Sequence, residues 1–83
     1  MFIIETPRTR TFFPRADTLK EACMIAYGEC VALKKNICIW NDDTGKLSGI
    51  VKREGNQILF VKMIRNREHP HILMSDGSLQ AYT

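Results

Sequence analysis

Between Leu19 and Leu33 small and apolar residues recur every three or four positions. Leu19, Ala22, Cys23, Ala26, Cys30 and Leu33 fall along one side of a helix. Thr18 followed three residues later by Glu21 has the spacing of a capping box. Lys34 and Lys35 suit the negative end of the helix dipole, and Asn36 can close the helix in a left-handed conformation. The pattern predicts one helix over about 19–35. Gly28 lies inside it at a propensity cost of roughly 1 kcal/mol against alanine, which is read as close approach to the surface beneath.

The remaining apolar runs are short and bounded by turn residues. Phe2-Ile3-Ile4 reads as a first strand. Pro7 and Pro14 keep the segment between them out of a helix and out of a central strand, leaving an extended stretch with an edge strand over Thr9 to Phe13. Ile37-Cys38-Ile39-Trp40, Lys46 to Arg53 and Gln57 to Ile64 form a three-strand meander, with turns at 41–45 and 54–56. Arg65 to His71 is polar, contains Pro70 and reads as a connection. Ile72-Leu73-Met74 and Leu79 to Tyr82 then pair as a short hairpin around Ser75-Asp76-Gly77-Ser78. The predicted class is α+β: a single helix packed on an antiparallel sheet, in the order β-α-β-β-β plus a short C-terminal hairpin, forming one domain over 1–83.

One feature of this pattern bears on function. A sheet with one wet face needs apolar residues at alternate positions only. Here both parities are apolar: Ile37 and Ile39 alternate with Cys38 and Trp40, and Leu59, Val61 and Met63 alternate with Ile58, Phe60 and Ile64. One helix covers one face. The other calls for the Phe12-Phe13 segment, the C-terminal hairpin, a second copy of the chain or a different protein.

Composition narrows the classes. A hydrophobic content of 45% and a charged content of 25% are those of a folded domain. At this length the chain buries roughly 60–65% of its unfolded surface, so its stability is modest. The formal charge of +3 comes from intermixed residues, 12 basic and 9 acidic, without the dense basic run of a dedicated nucleic-acid protein. Three widely spaced cysteines, Cys23, Cys30 and Cys38, do not make a disulfide framework and fit a reducing cytoplasm. No signal peptide is read at the N-terminus, and no apolar run reaches the ~20 residues of a membrane helix.

The candidate chemistry is sparse. Asp43-Thr44-Gly45 spells the aspartic-protease triplet, but its neighbours Asn41, Asp42 and Lys46 are polar, and a hairpin turn accounts for it. His69 and His71 are spaced to face one side of an extended segment. Cys23 and Cys30 stand about 10 Å apart along the helix, too far to share a metal. Each cysteine sits in a run expected to be core, where thiols are inert. The expectation is a non-enzyme without metal or cofactor. Two basic groups remain: Arg8, Arg10 and Arg15 around Phe12 and Phe13, and Lys62, Arg65 and Arg67 with Lys52 and Arg53 nearby.

Thr18-Leu19-Lys20-Glu21-Ala22, then Ile25-Ala26, then a strand and Asp43-Thr44-Gly45-Lys46-Leu47, resembles in layout the small phage-encoded inhibitors of the anti-CRISPR type, over about residues 18–60. The resemblance implies a stoichiometric inhibitor without chemistry of its own that blocks a host protein or complex in the host cytoplasm. It carries over no functional residue. The expected function is therefore a non-enzymatic protein-binding domain, either alone or as a homodimer. Arg8, Arg10, Phe12, Phe13, Trp40, Lys62, Arg65 and Arg67 are the candidate contacts, since arginines and aromatics anchor interfaces. The alternative is a small nucleic-acid-binding domain using the same basic and aromatic residues on an open sheet.

Overall fold

A computed structural model describes residues 1–7 and 13–82. It contains β1 (Phe2–Glu5), β2 (Arg15–Ala16), α1 (Leu19–Leu33), β3 (Ile37–Asn41), β4 (Lys46–Glu54), β5 (Gln57–Ile64), β6 (Arg67–Leu73) and β7 (Leu79–Ala81). The strands make one antiparallel sheet in the order β2-β1-β3-β4-β5-β6-β7. The α+β class and, among the described residues, the single helix therefore hold, while the strand order is corrected in two places.

The first correction is β2, a two-residue strand at Arg15–Ala16 beside β1. The edge strand expected over Thr9 to Phe13 lies outside the described residues except for Phe13, which is not in a strand. The second is β6, which occupies most of the stretch read as a connection. Arg65 and Asn66 both have positive φ, 51° and 63°, so they form a two-residue turn of the type that closes tight hairpins. Pro70 does not break this strand. The pair flanking such a turn, Ile64 and Arg67, exchanges hydrogen bonds, so three residues later Pro70 directs its nitrogen away from β5. On that side β7 reaches only as far as His71. The C-terminal hairpin is present as expected, Ile72 and Leu73 pairing with Gln80 and Leu79, and because its first strand is the end of β6 it extends the sheet at that edge.

The helix begins as its sequence dictates. Thr18 is the N-cap, and its hydroxyl accepts from the Glu21 N–H at 3.2 Å. It ends earlier than the lysines suggested: Lys34 itself adopts the left-handed conformation, φ 55°, and its N–H donates to the Cys30 carbonyl at 2.9 Å. Ala22, Cys23, Ala26 and Cys30 are its buried residues. These are small side chains, so the helix axis lies close on the bulky sheet residues Ile4, Ile37, Ile39, Val51 and Phe60. Gly28 plays no part in that approach. It is exposed, and a Cβ there would meet nothing within 4 Å. Gly28→Ala is therefore expected to raise stability by about 1 kcal/mol in urea unfolding; a loss would mean that the glycine serves a contact outside this chain's own fold.

Two further details shape the sheet. Between Ile39 and Trp40 the β3–β4 register slips, so that Ile39 opposes Gly49 while Trp40 opposes Leu47, and Ser48 is the extra residue of a bulge. Also, β2 and β7 lie at opposite edges, which a flat sheet of this order would hold about 29 Å apart. Yet Gly77, just before β7, lies against the backbone of Lys20, just after β2. The sheet curls around α1, and the 74–78 turn reaches the first turn of the helix.

Candidate interaction face

The pairing register sorts the strand residues onto two faces. Phe2, Ile4, Ile37, Ile39, Val51, Ile58, Phe60 and Leu73 meet or border α1 and make the core. Ile3, Cys38, Trp40, Leu47, Ile50, Leu59, Val61, Met63 and Ile72 share the outer face. That face is apolar across its middle, and no described element lies over it as α1 lies over the inner one. Leu59 and Val61, at 1% and 4% exposure, are shielded within it, while Ile3, Trp40, Leu47, Ile50, Met63 and Ile72 stay partly exposed. A polar rim surrounds them. The Tyr82 hydroxyl donates to Glu54 Oε1 at 2.6 Å, linking the residue after β7 to the end of β4 across the two strands between them. This bond, followed by the nearby Glu54 charge, raises the Tyr82 pKa.

At one end of the outer face a groove of about 440 Å³ opens between the β3–β4 and β5–β6 turns, lined by Trp40, Gly45, Lys46, Leu47, Met63, Arg65 and Asn66. The Ser48 bulge makes its apolar side. Leu47 and Ile50 differ by three residues, and without the extra residue Leu47 would point toward the helix. The indole of Trp40 is fixed by its N–H, which donates to Glu5 Oε1 at 3.2 Å. Arg65 is held in the left-handed region, where an arginine costs roughly 1 kcal/mol more than glycine. The β3–β4 turn is stiffened by the Asn41 side chain, whose Oδ1 accepts from the N–H of Asp43 at 2.9 Å and of Thr44 at 3.3 Å.

The sequence candidates separate in space. Trp40 and Arg65 come together in the groove. Lys62 and Arg67 fall by register on the helix side of the sheet, with His69 opposite Lys62. Lys52, by contrast, lies on the outer face, so Lys52, Arg53, Lys62, Arg65 and Arg67 do not form one basic patch. Phe13 is half-buried beside β2, and Arg8, Arg10 and Phe12 lie outside the described residues. Lys46, Leu47 and Met63 were not singled out from sequence. The only local hint was Gly49, since a glycine inside a strand often marks a bulge.

The Asp-Thr-Gly triplet lies in the turn between β3 and β4. Asp42, just before the triplet, pairs with Arg15 at 3.1 Å, and Asp43 within it pairs with the Met1 amine at 3.3 Å, so the start of this turn is tied to the N-terminal strands. Burial pushes the Cys23 thiol up to about 11. It also raises Cys30, against the pull of Arg53, and raises Cys38, with Glu5 adding to the effect. All three thiols are protonated at neutral pH. Among the described residues no group of three or more histidine, cysteine or acidic side chains could hold a metal, and no helix is long and apolar enough to cross a membrane. No known family model, no curated protein and no solved structure matches the chain.

Proposed function

We propose that this chain is a non-catalytic binding protein whose outer sheet face docks on a protein partner and blocks it sterically. One observation carries the reading: the sheet is apolar on both faces, but α1 covers one. The partly exposed Trp40, Ile50, Met63 and Ile72, rimmed by Lys52, Glu54 and Glu68, have the composition of an interface with an apolar centre and a polar rim. The resemblance of residues 18–60 in layout to small phage-encoded inhibitors is the ground for proposing the class of target, a host protein or complex.

The test compares the protein with its Ile50→Glu variant in affinity purification from native host cells, with Val31→Glu on the exposed side of α1 as the control. Retention of one partner by wild type and by Val31→Glu, with about a tenfold loss for Ile50→Glu, supports the proposal. Equal retention by all three, with matching circular-dichroism melts, overturns it. Solution mass identifies the case in which the partner is a second copy. Lys46, Arg65 and Trp40 in one groove also keep the nucleic-acid reading in view. Phosphate contacts would make affinity fall steeply and linearly with salt on a log–log plot, whereas protein docking predicts a shallow slope.

A further inference from the structure

The groove at the end of the outer face is chemically more specific than the face itself. Its floor is apolar: Trp40, Leu47 and Met63. The charged residues lining it are Lys46 and Arg65, both exposed and both cationic, and no acid lines it. At about 440 Å³ it takes a few side chains and not a folded surface. Resting on the docking reading above, we propose that this groove receives an acidic peptide segment of the partner. An apolar side chain of that segment lies on the floor, and a neighbouring carboxylate meets Lys46 and Arg65.

Charge complementarity selects this occupant. An arginine fork matches a carboxylate, and the flexible Met63 thioether adapts to varied apolar side chains. A nucleic-acid strand fits less well. It carries a charge on every nucleotide and needs cations along its track. Here the groove offers two cations, Lys46 and Arg65, enough for one carboxylate and too few for a phosphate track. Glu5 at the Trp40 indole and Glu68 opposite Met63 restrict the complement to that one carboxylate beside an apolar side chain. The backbone points the same way. Position 65 keeps an arginine in a left-handed conformation that asparagine or glycine would adopt more easily, as expected where the guanidinium serves a contact and not the turn.

Trp40 is the single tryptophan, so its fluorescence reports on the groove. The probe is the peptide Asp-Glu-Leu-Phe-Asp-Glu, which has no tryptophan. The expected result is a saturable change in Trp40 emission below about 1 mM peptide, with no change for Lys-Lys-Leu-Phe-Lys-Lys. Lys46→Glu/Arg65→Glu is expected to weaken binding by about tenfold or more. Arg65→Asn, which suits the turn, should melt no lower than wild type and still bind severalfold more weakly, separating a contact role from a folding role. The proposal is overturned by silence up to that concentration, by equal binding of the lysine peptide, by binding that ignores both variants, or by tighter binding of a 12-nucleotide oligothymidine. If the acidic peptide fails while Ile50→Glu still releases the partner, the groove assignment falls and the docking reading stands. If Ile50→Glu has no effect either, the docking reading falls with it.

Discussion

Gly49→Ala is expected to lower stability by about 2–3 kcal/mol, an overpacking cost at the upper end of its usual range. The added Cβ would run into the Phe60 ring and stand 2.7 Å from the Val61 carbonyl oxygen. Neither neighbour can yield cheaply. Phe60 is fully buried in the core, and the carbonyl belongs to β5, next to β4 in the sheet. For a domain of this size each kcal/mol moves the melting temperature by roughly 4–8 °C, so the loss would be plain in thermal and urea unfolding. A double-mutant cycle with Phe60→Leu tests the cause. The smaller side chain leaves a cavity when alone, but it removes part of the clash, so the double variant should be more stable than the sum of the two losses by about 1 kcal/mol. A Gly49→Ala protein within about 0.5 kcal/mol of wild type would show that the ring does not need the space above that glycine.

Gly77→Ala should cost a similar amount, about 2–3 kcal/mol, for two separable reasons. Its φ is +86°, a conformation that strains alanine by about 1 kcal/mol. Its Cβ would also collide with the carbonyl oxygen of Lys20, a backbone atom in the first turn of α1. Gly45→Ala provides the reference, because Gly45 has a similar φ of 70° and nothing within 4 Å of its added Cβ. The excess of the first loss over the second measures the packing of the 74–78 turn against the helix. Equal losses would mean that the turn does not bear on α1 at all. Lys20→Ala should not relieve the strain, since the obstructing oxygen remains.

These two positions also mark how far the sequence could be read. The helix was legible because Ala22, Cys23, Ala26 and Cys30 repeat at its period and Thr18 caps it. Strand β5 was legible to the residue because Gln57 and Ile64 stand beside turns. The sheet's outer face was legible from its double apolar parity. What escaped depended on backbone conformation and long-range contact. Arg-Asn at 65–66 carries no glycine, so its left-handed turn was invisible and β6 was read as a connection. The groove was hidden for the same reason: one of its walls is that turn, and the other depends on a bulge that moves Leu47 across the sheet. Trp40 and Arg65 both stand among the candidate contacts, but nothing in their spacing shows that they would meet in one groove.

Among the described residues the sheet ends in strands of two and three residues, β2 and β7. Such ladders give an incoming strand few amide and carbonyl partners, and beyond β7 the open Arg67–Pro70 stretch of β6 carries a proline without an N–H; short and proline-bearing edges are a common guard against runaway stacking of chains. The long strands β4 and β5 lie in the middle of the sheet, with their backbone groups already paired on both sides. An assembly built from this fold would therefore grow by burying side chains and would stop at a defined stoichiometry. A longer ladder would open if β7 peeled away and uncovered β6, where Pro70 still offers no N–H.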